Sequence, residues 1–137
     1  MSDMHNQVYS YEDFEARKFL PPGRYQGIIC GHVSGVTQKG TKTIRLLLRV
    51  EEPLSGQDLT GIETNVELKS QTFFETPDAK HRFFDQVRAI NPEALKPGTF
   101  PEIAENTVLT KVTFDFIQQK SKTNDATWWE CINIKAA

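Results

Sequence analysis

Residues 24–51, RYQGIICGHVSGVTQKGTKTIRLLLRVE, decide the fold. They read as two long strands joined by a short basic loop, Gln38-Lys39-Gly40-Thr41-Lys42. Glycines recur in the first strand at Gly27, Gly31 and Gly35 among β-forming residues, too often for a flat central strand. Glycine inside a strand marks a bulge, a bend or a close backbone approach, so this strand is expected to coil and serve two sheet faces. In the second strand, alternation puts Ile44, Leu46, Leu48 and Val50 on one face and Thr43, Arg45, Leu47 and Arg49 on the other. The first face is core. The second is apolar only at Leu47 and carries two arginines.

The flanking chain fits around this pair. Residues 1–20 are polar and mildly acidic, with aromatics at Tyr9, Tyr11, Phe14 and Phe19, and read as an N-terminal arm, partly disordered or docking. Pro21-Pro22-Gly23 punctuates the start of a domain spanning residues 21–135. A loop over 53–61 leads to a third strand over 62–74, with Ile62, Thr64, Val66 and Leu68 on its buried side. Thr76-Pro77 then starts a helix, Thr as N-cap and Pro at the first helical position, whose Phe83, Phe84, Val87 and Ile90 form its apolar stripe. Asn91-Pro92 stops it.

A connector over 92–106 with three prolines and a turn of helix near 93–96 precedes a fourth strand over 107–117, where Val108, Thr110, Val112, Phe114 and Phe116 share a face. A polar loop over 118–125 and a last strand over 127–135 complete the chain. The order strand, strand, strand, helix, strand, strand describes an all-β domain with one inserted helix, an OB-fold-like five-stranded Greek-key barrel. An SH3-like barrel does not account for a helix of this length after the third strand, and a β-sandwich usually wants more strands.

At 137 residues, 25% charged and 38% hydrophobic, the chain has the size and composition of one globular domain. Its longest apolar runs fall short of a membrane span, and Met-Ser-Asp-Met-His-Asn lacks the basic and apolar blocks of a signal peptide, so a cytoplasmic protein is expected. Cys30 and Cys131 lie in predicted strands outside any C-x-x-C pair, and are expected to be reduced and buried. Net charge is −2, yet residues 24–50 hold Arg24, Lys39, Lys42, Arg45 and Arg49 with no Asp or Glu. A local basic stripe, rather than the sum, steers a polyanion.

The element order, the Leu20-Pro21-Pro22-Gly23-Arg24-Tyr25 lead-in, the Thr37-Gln38-Lys39-Gly40 turn and the late strand over 124–133 together resemble a group of small phage-borne and bacterial proteins. That group is encoded near recombination functions and is similar to single-strand DNA-binding proteins. The resemblance spans residues 20–134 and implies an OB-fold and binding of single-stranded DNA; it brings no set of functional residues. Many single-strand-binding proteins end in an acidic tail that recruits partners, whereas this sequence ends Lys135-Ala136-Ala137. Recruitment of recombination or replication proteins is therefore expected of the acidic, aromatic N-terminal arm.

Catalytic chemistry finds little support. His5, His32 and His81 lie apart, and the sequence holds no H-E-x-x-H, P-loop or G-x-S-x-G, so no enzyme, cofactor or metal is expected. Binding is better served. An OB-fold receives oligonucleotide across strands two and three, between the first-to-second and fourth-to-fifth strand loops. Those loops carry Lys39 with Lys42 and Lys120 with Lys122; Arg45 and Arg49 lie between them, with Lys69 and Lys111 as further phosphate contacts.

Tyr25, Phe73 and Trp129 are the candidates for base stacking, a contact that contributes roughly 1–3 kcal/mol per base. Trp128 and Trp129 must point to opposite faces; register with Ile132 and Ile134 places Trp128 inside and Trp129 outside. The expected function is sequence-nonspecific single-stranded DNA binding of the phage replication or recombination type, with self-association through strand edges open. The alternative is a protein–protein interaction module, or a phage or host accessory factor, on the same barrel without nucleic-acid binding.

Overall fold

The computed structural model of the chain describes Val8 and residues 19–137. The N-terminal arm expected over residues 1–20, with its docking role, therefore lies outside the described residues apart from Val8, Phe19 and Leu20. The described elements are β1 (Gly23–Val36), β2 (Lys42–Pro53), β3 (Leu68–Lys69), β4 (Phe73–Phe74), α1 (Lys80–Ile90), α2 (Phe100–Glu105), β5 (Lys111–Lys120) and β6 (Thr127–Ala136), with a short 3-10 turn at Pro92–Ala94 before α2. They form an antiparallel six-stranded sheet ordered β3-β2-β1-β5-β6, with β4 also paired to β2. The fold is thus mostly β with few helices. No described helix is long and apolar enough to cross a membrane.

β1 organises the sheet as its glycines suggested. Gly23–Ile28 pairs with β5 on one edge while Tyr25–Val36 pairs with β2 on the other, and the β2 register shifts between Gln26 and Gly27 and again between Ile29 and Gly31. At Gly27 the backbones approach so closely that a Cβ would sit 2.1 Å from the Arg49 carbonyl oxygen and 2.9 Å from the Phe114 ring. Only glycine fits there. Beyond the shift, residues 31–36 pair with β2 alone among the described strands.

Alternation delivers the core. Tyr25 and Ile29 of β1, Ile44, Leu46 and Leu48 of β2, and Val112 and Phe114 of β5 are buried together. Phe83 of α1 closes one end against Phe73 at 5.5 Å and against Phe100 of α2 at 4.5 Å between ring centroids. Beneath it Val87 and Ile90 continue the buried stripe one and two turns on.

The two ends of the sheet touch at one place. Buried Ser70, just past β3, forms a parallel bridge with Cys131 of β6, and the Gln71 amide donates to the Cys131 carbonyl at 3.3 Å. Ser70 is fixed from the other side by Leu46, whose amide donates to Ser70 Oγ at 2.9 Å and whose carbonyl accepts from Ser70 N at 2.9 Å.

Several expectations need correction. The third strand is two short pieces: residues 62–67 keep the alternation, half-buried at Ile62, Thr64 and Val66, but pair with none of the described strands. The Thr76-Pro77 signal caps a turn before the helix, Thr76 Oγ1 accepting from Ala79 N at 3.1 Å, and α1 begins at Lys80. The proline-containing connector holds α2, which starts with a capping box of Thr99 and Glu102 that encloses Pro101 in the first turn. β5 begins at Lys111, because Leu109 takes a positive φ of 74° that ends any extended run. Both cysteines are free, but Cys30 is only half-buried while Cys131 is buried.

Candidate nucleic-acid interface

Residues paired across antiparallel strands share a sheet face, so register alone defines the outer face of β1–β2. Thr43 lies between Gly35 of β1 and Phe74 of β4. Arg45 faces Val33, and Leu47 lies between Gly31 and Lys69. Arg49 faces Ile28, which on its other side faces Lys111 of β5. One face therefore gathers Arg45, Arg49, Lys69 and Lys111 around Leu47 and Phe74. Gly31 and Gly35 put no side chain beside Leu47 and Thr43, which leaves the strip shallow there.

The cations on this face are held differently. Arg45 Nε donates to the Ser70 carbonyl at 2.8 Å and Arg49 Nη1 to Asn65 Oδ1 at 3.0 Å. A guanidinium carries five N–H donors, so each keeps others for a phosphate. Lys69 is exposed. Lys111 sits 3.7 Å from Glu51, which compensates its charge at the rim, and Arg24 is committed to Asp115 at 3.1 Å and Thr113 at 2.8 Å.

The loop lysines do not act as one group. Lys39 lines a depression with Phe74 and Thr41 on one side of the β1–β2 hairpin. Lys42 lines a different pocket with Val36, Ile44 and Phe100, on the α2 side. Lys120 and Lys122 are exposed at the β5–β6 turn. Because Cys131 is level with Ser70, Trp129 is level with Leu68 and its partner Leu48, and the β5–β6 turn lies toward the Arg49 end of β2. Lys39 and the Lys120–Lys122 turn thus sit at opposite ends of the cationic strip.

Two of the three stacking candidates are core residues. Tyr25 is fully buried, 6.1 Å from the Phe114 ring, its hydroxyl donating to the Pro21 carbonyl at 2.6 Å, and burial raises its pKa. Phe73 is 1% exposed and Phe74 is 40% exposed, the reverse of the expected parity. The reason lies in the register. From Lys69 to Phe73 the chain advances four residues while its partner β2 advances three, from Leu47 to Ile44. One extra residue turns every later side chain over.

The tryptophans are turned over by the same cause. Between Asp115 and Thr113 β5 advances two residues, while β6 advances three from Ile132 to Lys135, with Asn133 at a φ of 51°. The parity read back from Ile134 therefore fails at Trp128, which is exposed on the outer face with Ile132. Trp129 is the residue with core-side parity, shared with Cys131; it lies beyond the core, 40% exposed, stacked on Phe116 at 5.0 Å and 24° between ring planes. It lines an apolar cleft of about 280 Å³ with Phe19, Val66 and Leu68.

Two contributors escaped the sequence reading, Phe74 and Trp128, whereas Leu47 was placed on the arginine face from alternation alone. The adjacent Phe73-Phe74 and Trp128-Trp129 pairs were the available signal, since one member of each must face outward; which one depends on bulges that leave no mark in composition. No protein-family model and no curated protein matches this chain.

Proposed function

We propose that the chain is an OB-type barrel that binds single-stranded DNA without sequence specificity, by phosphate neutralisation and base stacking rather than by catalysis. What supports the barrel is the strand order β3-β2-β1-β5-β6, the helix α1 inserted between β4 and β5, and the parallel Ser70–Cys131 bridge between the sheet's outermost strands. An OB-fold joins its first three strands to its last two through such a contact.

The observation that carries the function is the cross-strand strip on β1–β2, where Arg45, Arg49 and Lys69 surround Leu47 and lead to Phe74 and Lys39. Cations space along it at strand intervals, and apolar surface lies between them. That combination of charge and ring faces suits single-strand binding. Residues 24–50 bring no carboxylate to it. The resemblance to phage-borne and bacterial recombination-associated proteins adds replication or recombination as the setting, with cytoplasmic residence and partner proteins as its corollaries.

Titration of fluorescent oligo-dT at several salt concentrations tests the reading. Four phosphate contacts, from Lys39, Arg45, Arg49 and Lys69, predict a log–log salt slope of roughly −3 on a single strand. Absence of binding at low salt, or tight binding indifferent to salt, rejects it.

A second reading rests on a separate observation. Val33 and Val36 are 41% and 68% exposed on the part of β1 that pairs with β2 alone, and residues 33–36 carry no charge to guard that edge. A protein partner, or a second copy of the chain, is the alternative user of the barrel. Lys39→Glu leaves function intact if this reading holds and weakens it at least about tenfold if the first does.

A further inference from the structure

We infer that the free edge of β1 pairs antiparallel with the same edge of a second copy of the chain, about a two-fold axis at Ser34. The inference builds on the exposed, uncharged end of β1 and is independent of what the outer face binds. The Leu46 amide donates to Ser70 Oγ and its carbonyl accepts from Ser70 N, while the Lys42 carbonyl accepts from Glu75 N, so these β2 residues turn their backbone groups away from β1. Ile44, between them, follows. Their partners His32, Ser34 and Val36 therefore aim N–H and C=O at the opposite edge of β1, where none of the described strands pairs with them.

That edge has fixed ends. Ile29 is already bonded on it, its amide donating to the Thr110 carbonyl at 3.0 Å and its carbonyl accepting from Leu109 N at 2.7 Å. At the other end the Thr37 amide donates to the Thr41 carbonyl and closes the hairpin loop. Setting Ser34 opposite Ser34 of the second copy puts His32 opposite Val36, and all three outward-facing residues of each chain enter hydrogen-bonded pairs. The register can slip only in steps of two without turning side chains to the wrong face. One step inward brings Thr37 of the copy level with Ile29, where residues 109–110 already lie. One step outward sets His32 against Gln38 of the hairpin loop.

Side chains agree with this register. On the outer face exposed Val33 falls beside Gly35 of the copy, which has no side chain to obstruct it. On the other face His32, bonded to Glu105 at 3.0 Å, stands opposite exposed Val36 of the copy, and beyond Val36 comes Lys42. Two strand spacings, about 10 Å, separate that lysine from His32. Lys42 and Glu105 are both exposed, so the pairing turns an ammonium toward a carboxylate, and the two-fold axis repeats the match. This self-complementarity makes a second copy the occupant. The axis stands perpendicular to the sheet, which leaves the arginine faces of both copies on one side.

Sedimentation of the chain without DNA, from micromolar to millimolar concentration, tests the pairing, with Ser34→Lys and Ser34→Glu as variants. Ser34 is exposed and lies outside the arginine strip, so both variants keep the fold, which thermal melts check. Expected are a monomer–dimer equilibrium for the unaltered chain and a dimer at least about tenfold weaker in each variant, because the axis sets like charges against one another. An equimolar mixture of the two variants is expected to recover the dimer. Independently, Ser34→Cys in a Cys30→Ala chain is expected to cross-link to itself on mild oxidation, since a hydrogen-bonded pair spaces its Cα atoms about 5.5 Å apart.

A monomer at every concentration overturns the pairing and assigns the edge to a different protein or to residues 1–18. A dimer indifferent to both substitutions, no recovery on mixing, or no cross-link overturns it too, because the contact then lies elsewhere or in another register. None of these results touches single-strand binding, which the oligo-dT titration reads separately.

Discussion

Arg45 Nε donates to the carbonyl oxygen of Ser70 at 2.8 Å, and Ser70 is the residue through which β3 meets β6. A cation of the outer strip is thereby tied to the junction of the sheet's two ends. Its stem is locked by that bond, so little side-chain freedom remains to be lost when a phosphate arrives. Structural and binding roles meet in one side chain, and substitution can separate them.

Arg45→Lys keeps the charge and loses the Nε donor. It is expected to lower stability by about 1 kcal/mol, the net worth of one hydrogen bond, with the salt slope unchanged. Arg45→Ala is expected to add a fall of about 0.7 in that slope, one phosphate contact on a single strand. Thermal melts and oligo-dT titrations of the two variants separate the effects.

The neighbouring phenylalanines are expected to divide stability from affinity. Phe73 packs against Phe83 in the core, so Phe73→Ala costs about 3–5 kcal/mol of folding free energy. Phe74 is exposed on the outer face, and Phe74→Ala costs little stability but about 1–3 kcal/mol of binding. Urea denaturation beside oligonucleotide titration checks both, and equal loss of affinity in correctly folded forms of each variant contradicts the assignment.

The two lysines of the first hairpin are expected to behave unlike one another. Lys39 shares a depression with Phe74, whereas Lys42 lines the pocket on the α2 side. Lys39→Glu should weaken single-strand binding at least about tenfold at about 0.15 M salt, and Lys42→Glu less, because there a charge reversal acts over a Debye length of only about 8 Å. Similar losses in both place the strand across the hairpin tip instead.

Cys131 is expected to make stability fall in alkali. Burial, reinforced by the Glu130 carboxylate and opposed by Arg45, pushes its thiol well above the ordinary value near 9. The unfolded chain releases that proton above pH 9 while the folded chain retains it, so stability present below pH 9 is lost as pH rises, by up to about 1.4 kcal/mol per unit. Cys131→Ala should flatten that part of the profile in denaturant titrations at pH 8 to 10. In the native protein a thiol reagent should label half-buried Cys30 first, and Cys131 only on unfolding.

Much of this molecule is legible in the order of its residues. Alternation named the buried face of β2 at Ile44, Leu46 and Leu48, glycine spacing announced a coiled β1, and the Phe83–Val87–Ile90 stripe placed α1 on the core. The charge pattern put Arg45 and Arg49 on one face before any coordinate was needed. Those features follow from periodicities local to a few residues, and a strand or helix enforces them wherever it forms.

What only the tertiary structure decided is everything beyond a bulge or across a strand pair. One extra residue between Lys69 and Phe73 buried Phe73 and exposed Phe74, and another at Asn133 exchanged the faces of Trp128 and Trp129. The separation of Lys39 from Lys42 and the coupling of Arg45 to Ser70 likewise depend on chains that approach from distant positions. A period of two carries no memory past an inserted residue. The partner strand, which sets where that residue falls, is chosen by packing over the whole domain.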